Sequence, residues 1–182
     1  MNVGLLGYGN VGKGLIKVLK KSEHISKGIT ITKILRRRGK VTNPLMTDDP
    51  QDIIESSDID VVVELMGGIH PAYEYIRAAL NAGKHVITAN KALINVHGTE
   101  LNELARRKKV AFLMSAACGG GIPIQPTILE NKPLGIQGIS GILNGTTNFM
   151  LDEMEQHGVD FETVLKKAQK LGFHPIPTKS SR

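Results

Sequence analysis

Tryptophan is missing from this 182-residue sequence, cysteine occurs once, and aromatic residues make up only 4%. Each shortage excludes something. The lone Cys118 rules out an internal disulfide framework and fits a reducing compartment. No apolar run approaches the roughly 20 residues needed to cross a bilayer. Lys13 and several glycines break up the first fourteen residues, so no secretory leader is expected there and the expected location is cytoplasmic. With so few rings, packing must rest on aliphatic side chains and on tight turns, for which 20 glycines are available.

Acidic residues are also in deficit: 17 Asp and Glu face 23 Lys and Arg, for a formal charge of +6. The excess is scattered, with clusters only at Arg36–Arg38 and Arg106–Lys109. No nucleic-acid module and no pattern of stacking aromatics accompanies it, so a nucleic-acid partner is not expected. What remains is a set of solvated faces and a site for an anionic small molecule.

The apolar pattern is periodic. Strands are predicted at Asn2–Leu6, Ile29–Leu35, Asp60–Leu65, His85–Ala89 and Val110–Ala116. Runs such as "VVVELM" and "VAFLM" are nearly continuous, as in strands covered on both faces. Between them, Val11, Leu15, Val18 and Leu19 share one helical face, and so do Ala72, Ile76, Ala79 and Leu80, with Gly83 placed as a stop. Alternation of this kind predicts an α/β fold with a parallel, doubly wound sheet. From about Pro123 the pattern changes. "GIQGISGILNG" reads as a strand ending in a turn, followed by helices near Thr146–His157 and Phe161–Leu171. Phe161, Val164, Leu165, Ala168 and Leu171 form the apolar stripe of the second, with Asp160 as its N-cap.

Chemistry enters at "VGLLGYGNVGKG". Gly7, Gly9 and Gly12 have the G-x-G-x-x-G spacing, directly after a strand and at the start of a helix. The first glycine permits the tight turn, the second lets backbone approach a pyrophosphate, and the third lets helix and strand pack closely. The helix N-terminus adds free N–H groups and a favourable dipole. A dinucleotide site is expected. The end of the second strand refines it. "ITITKILRRRGK" has no acid to hold a ribose 2′-hydroxyl, but Arg36, Arg37 and Arg38 can grip a 2′-phosphate. NADP is therefore the expected cofactor, with NAD possible and a solvated basic loop as the plain alternative.

Polar and glycine residues gather again at "ELMGG" (Glu64–Gly68), "TANK" (Thr88–Lys91) and "SAACGGGIPI" (Ser115–Ile124). With "GYGNVGKG", "VVVELMGG", "VITANKAL", "GGGIPI", "GILNGTTNFML" and "AQKLGF" in this order, the sequence resembles the homoserine dehydrogenases from Met1 to about Phe173. The resemblance implies hydride transfer between a nicotinamide cofactor and aspartate 4-semialdehyde or homoserine, a step toward threonine, isoleucine and methionine. It implies a Rossmann-type nucleotide domain over residues 1–123 and the incomplete start of an α+β substrate and dimerisation domain over residues 124–182. Homo-oligomers are the family's habit.

By the same resemblance Tyr8, Asn10 and Val11 join the glycines against the cofactor, and Thr88 and Asn90 border its nicotinamide side. Lys91 stands between cofactor and substrate, where an ammonium polarises a carbonyl or holds a carboxylate; its plain alternative is a solvated lysine at a strand end. Asn144, Thr146 and Thr147 either position substrate or cap a helix. A monovalent cation is implied at the backbone carbonyls of Cys118, Gly120 and Ile122, but the family's glutamate is Ser115 here, which removes the only anionic ligand. After "LGF" the family carries the carboxylates and lysine of its substrate site, whereas this sequence reads "HPIPTKSSR", with no acid after Glu162. On its own the chain is expected to be inactive or weakly active. Two other readings stand beside it: a non-catalytic NADP-binding module, and an NADP-dependent oxidoreductase of another amino-acid semialdehyde or imine.

Overall fold

The computed structural model describes residues 1–142 and 144–171. They divide into two compact units, the first Met1–Pro133 and the second beginning at Leu134. In the first unit the chain runs β1 (Asn2–Leu6), α1 (Asn10–Lys21), α2 (Glu23–Ser26), β2 (Thr30–Leu35), β3 (Met46–Thr47) and α3 (Gln51–Ile54). It continues through β4 (Val61–Glu64), α4 (Ala72–Asn81), β5 (His85–Thr88), α5 (Lys91–Lys108), β6 (Phe112–Leu113), α6 (Ser115–Cys118) and α7 (Ile124–Asn131). The second unit holds α8 (Gly145–His157) and α9 (Phe161–Lys170).

Six parallel strands form one sheet in the order β3-β2-β1-β4-β5-β6. This is a Rossmann-type, doubly wound sheet whose order reverses between β1 and β4. The near-continuous apolar runs are explained by burial on both faces. Val61 and Val63 pack with Val3, Leu5 and Ile34, whereas Val62 packs with Leu6, Ile76, Leu80 and Val86. Full burial of one such side chain is worth about 1.5–3 kcal/mol, so β4 anchors both layers. Ala72, Ile76, Ala79 and Leu80 are all 0% exposed, as their spacing requires.

Four expectations need correction. On α1 the inward face is Gly12, Leu15, Ile16 and Leu19, not the stripe through Val11 and Val18, which are 58% and 50% exposed. Both sets have helical spacing; the tight packing of Gly12 on the preceding turn selects the first. The strand foreseen over Val110–Ala116 pairs only at Phe112–Leu113, because Ser115 already starts α6. "GIQGISGILNG" is not a strand: residues 135–142 are exposed and irregular. A strand needs a hydrogen-bonded neighbour, and no sheet strand lies in the second unit among the described residues. Finally, Phe161 and Leu171 of the α9 stripe are exposed, and Val164 and Ala168 pack with Met150 of α8. Residues beyond Leu171, including the "HPIPTKSSR" stretch, lie outside the described residues. Among those described, no helix is long and apolar enough to cross a membrane.

Candidate functional site

The parallel register lines up the carboxyl ends of four strands. Leu35 pairs with Leu6, Leu6 with Glu64, and Glu64 with Thr88. The residues that follow this row leave the sheet together at the point where strand order reverses, which is where open α/β sheets hold their ligands.

The turn after β1 needs its glycines for different reasons. Gly7 has φ +108°, and a Cβ there would stand 2.9 Å from the Leu65 carbonyl oxygen. A Cβ on Gly12 would lie 2.7 Å from the Gly7 carbonyl oxygen, so α1 is seated directly on the turn. Nothing lies within 4 Å of a Cβ on Gly9. The fold does not need that glycine; only something arriving from outside would meet it. Gly9 is the N-cap of α1, yet no side chain caps the helix and its first turn carries no acid. The N–H groups there are available to an anion.

A groove of about 650 Å³ opens over this turn, lined by Gly7, Tyr8, Gly9, Arg36, Arg37, Arg38, Lys40, Asp48, Met66 and Gly67 among others. The turn and the arginine cluster are thus brought together. The Arg36 guanidinium sits 5.1 Å from the Tyr8 ring centroid, within cation–π range. None of the three guanidiniums forms an ion pair among the described residues, although Asp48 shares the groove. Asn10, Val11 and Gly12 follow as the first residues of α1 and do not line the groove.

Thr88 and Asn90 do not line it either, and their side chains are committed elsewhere. Thr88 is 0% exposed and its hydroxyl donates to Glu64 Oε2 at 2.6 Å. Asn90 caps α5, its Oδ1 accepting from the Leu93 N–H at 3.2 Å and its Nδ2 donating to the Gly68 carbonyl at 2.6 Å. Lys91, the first residue of α5, is exposed, and its side chain has no hydrogen bond or ion pair among the described residues. Glu64, the partner of Thr88, has no role assigned by motif reading. Its signal was an isolated acid in the apolar run "VVVELM", but only the fold shows what it meets.

At the implied cation loop the donors are neutral. The Ile122 carbonyl already accepts from the Ile124 N–H at 2.8 Å, and the Ser115 hydroxyl donates to Gln125 Oε1 at 3.0 Å. Cys118, the last residue of α6, is exposed, and so is Gly120 in the loop that follows. No group of three or more His, Cys, Asp or Glu side chains gathers to hold a metal among the described residues. This loop offers a cation dipoles and no formal charge. Asn144 caps α8 by accepting from the Thr147 N–H at 3.0 Å, which accounts for its place at the helix start.

Two polar clusters lie away from the groove. At the amino ends of β4 and β5 a smaller hollow of about 330 Å³ is lined by Ser56, Asp60, Lys84 and His85 among others. Lys84 is 6% exposed, and its ammonium donates to the carbonyls of Ser56 at 2.5 Å and Ile59 at 2.8 Å. Desolvation holds its pKa below the usual lysine range, against the pull of Asp60. On α4 and α5, the Tyr73 ring stacks on His97 at 4.1 Å and its hydroxyl donates to Glu100 Oε1 at 2.7 Å.

Comparison with known proteins identifies the architecture. Residues 7–115 match the family profile described as "Homoserine dehydrogenase, NAD binding domain", and residues 123–175 match "Homoserine dehydrogenase". The homoserine dehydrogenases of Lactococcus lactis and a Synechocystis strain are 40% and 42% identical, each over 95% of this chain. A crystal structure of the enzyme from Thiobacillus denitrificans superposes with a TM-score of 0.82 at 39% identity, covering 96% of this chain and 44% of that one. The chain spans 44% of the length of the Lactococcus protein and 42% of the Synechocystis one. With its nucleotide-domain profile, its motifs and its sheet all in agreement, the chain belongs to the homoserine dehydrogenase family.

Proposed function

We propose that this chain is the nucleotide-binding part of a homoserine dehydrogenase and that it prefers NADP to NAD. The observation that carries this reading is the groove at the reversal point. It joins a helix N-terminus without a side-chain cap and an open Gly9 to three arginines that form no ion pair among the described residues, at the end of a strand that carries no acid. The N–H groups at the start of α1 take the pyrophosphate, and Arg36, Arg37 and Arg38 take the 2′-phosphate through charge-assisted bonds.

When bound, a reduced nicotinamide supplies a hydride to an aldehyde carbon. Against that chemistry, the chain's own contribution is position and charge. Lys91, exposed at the start of α5 and unpaired among the described residues, is the group we assign to the substrate side, where its ammonium stabilises the developing oxyanion or holds a carboxylate. Thr88 and Asn90 act through the backbone they fix. The substrate proposed is aspartate 4-semialdehyde, in keeping with the names of the relatives.

Titration of the chain with NADPH and NADH tests the cofactor reading. NADPH should bind at least about tenfold tighter, the size of one good charge-assisted contact. Equal affinities would sink the preference, and the absence of any binding would sink the nucleotide reading with it. A separate assay for reduction of aspartate 4-semialdehyde asks whether these residues suffice for turnover or provide only the nucleotide site.

A further inference from the structure

Glu64 is the one carboxylate fully buried among the described residues, 0% exposed at the end of β4. A carboxylate withdrawn from water must be met by donors, and both oxygens of this one are met. Oε1 accepts from the N–H groups of Met66 at 2.6 Å and Gly67 at 3.3 Å. Oε2 accepts from the Thr88 hydroxyl at 2.6 Å. The Thr88 oxygen in turn accepts from the Asn90 N–H at 3.0 Å, and that bond directs the hydroxyl proton toward Glu64. The Asn90 Nδ2 lies 3.5 Å from Oε1 while donating to the Gly68 carbonyl.

The bonds join two segments that the sheet alone would leave independent. One is the turn at residues 66–68, where Gly67 and Gly68 both have φ +76° and where Met66 and Gly67 form a wall of the groove. The other is the start of α5, capped by Asn90 and opening with Lys91. A fourth valine would pack this strand end well and would leave the buried Thr88 hydroxyl, and the partly buried N–H groups of Met66 and Gly67, without this acceptor. The acid therefore serves the two segments, not the strand.

We propose that Glu64 is a positioning residue, which locks the glycine turn to the first turn of α5 and so sets the groove wall and Lys91 as one body. It lies behind the groove and does not line it. A dinucleotide that reaches from the arginines to Lys91 depends on this lock, whereas an adenine half held by Arg36–Arg38 does not. The proposal rests on the groove being a nicotinamide-nucleotide site.

The test measures binding of NADPH and of adenosine 2′,5′-bisphosphate to the full chain, for the wild type and for Glu64→Gln and Thr88→Val. Glutamine must turn its amide NH₂ toward a donor on one side, and valine removes the hydroxyl link without changing the shape. Each should weaken NADPH by about tenfold, the effect of one unpaired buried group, and leave the bisphosphate within about twofold. Equal losses for both ligands would mark Glu64 as a merely structural group and overturn the proposal, as would unchanged NADPH binding. If Glu64→Gln does not fold, Thr88→Val is judged by the same ratio. Wild-type protein that binds NADPH while the variants match it overturns this inference alone; wild-type protein that binds neither ligand overturns the nucleotide reading as well.

Discussion

The Gly7 carbonyl oxygen and the α-carbon of Gly12 face each other so closely that a Cβ on Gly12 would stand 2.7 Å away. The obstacle is backbone and cannot rotate aside. Gly12→Ala should therefore destabilise the first unit by about 1–3 kcal/mol, the usual cost of overpacking. Gly9→Ala meets open space and should leave stability within about 0.5 kcal/mol while weakening nucleotide binding. Denaturant midpoints and NADPH titrations of the two variants separate the roles; similar losses of stability for both would refute the division.

Lys84 should prove structural. Lys84→Met removes the donor shared by the Ser56 and Ile59 carbonyls, and a buried acceptor left unpaired costs about 1–3 kcal/mol. Relief of the desolvated ammonium offsets part of this without cancelling it, since two acceptors lose their partner. A lower denaturation midpoint with unchanged NADPH affinity is expected. A variant as stable as wild type would show that the two bonds contribute nothing.

Acid should loosen the outer contacts of α4 and α5. The Tyr73 hydroxyl bond, aided by His97, holds the Glu100 carboxyl below its ordinary range, with burial opposing. A folded pKa below the unfolded value of about 4.3 gives a contribution that is present above that value and lost as pH falls through the folded one. Tyr73→Phe removes the largest cause, so the Glu100 titration should move upward toward the ordinary range. NMR detection of its side-chain carboxyl carbon follows this directly, and an unmoved midpoint would contradict the assignment.

The two helices of the second unit are pinned at their starts. Asn144→Ala should cost α8 about 1 kcal/mol, as loss of an N-cap does. Asp160 caps α9, and its carboxyl is lowered first by the Thr163 hydroxyl and then by the Thr163 N–H. Its contribution is likewise present above the ordinary aspartate value and fades below it. Circular dichroism should show helix loss with both changes, and an Asp160→Asn variant should flatten the acid limb.

Much of this architecture is legible in one dimension because local rules and burial agree. The strands β1, β2, β4 and β5, the turn at Gly7–Gly12 and the buried face of α4 follow from periodicity and from the demands of a two-sided core. Where two faces have equal helical spacing, as on α1, the sequence offers no arbiter, and the contact between Gly12 and Gly7 decides. The two-residue β3 is too short to leave a period. The stretch before Asn144 has strand composition without a strand beside it. The buried face of α5 runs through Leu93, Gly98, Leu101, Leu104 and Ala105, where a glycine interrupts the apolar series. Glu64 was visible as an oddity in an apolar run, and Met66 and Gly67 are its near neighbours along the chain, but Thr88 is brought to it only by the pairing of β4 with β5.

The central pairing of β1 with β4 has a kinetic side. The groove's two walls come from Gly7 and from Leu65 and Met66, segments joined only after the whole of α1, β2, β3 and α3 has been looped out. Contacts so distant along the chain form late, because loop closure must precede any gain from them. A nucleotide thus has nothing to grip in the folding transition state unless that pairing is already made. Its stabilisation should appear mainly as slower opening of the finished domain, and hardly at all as faster folding.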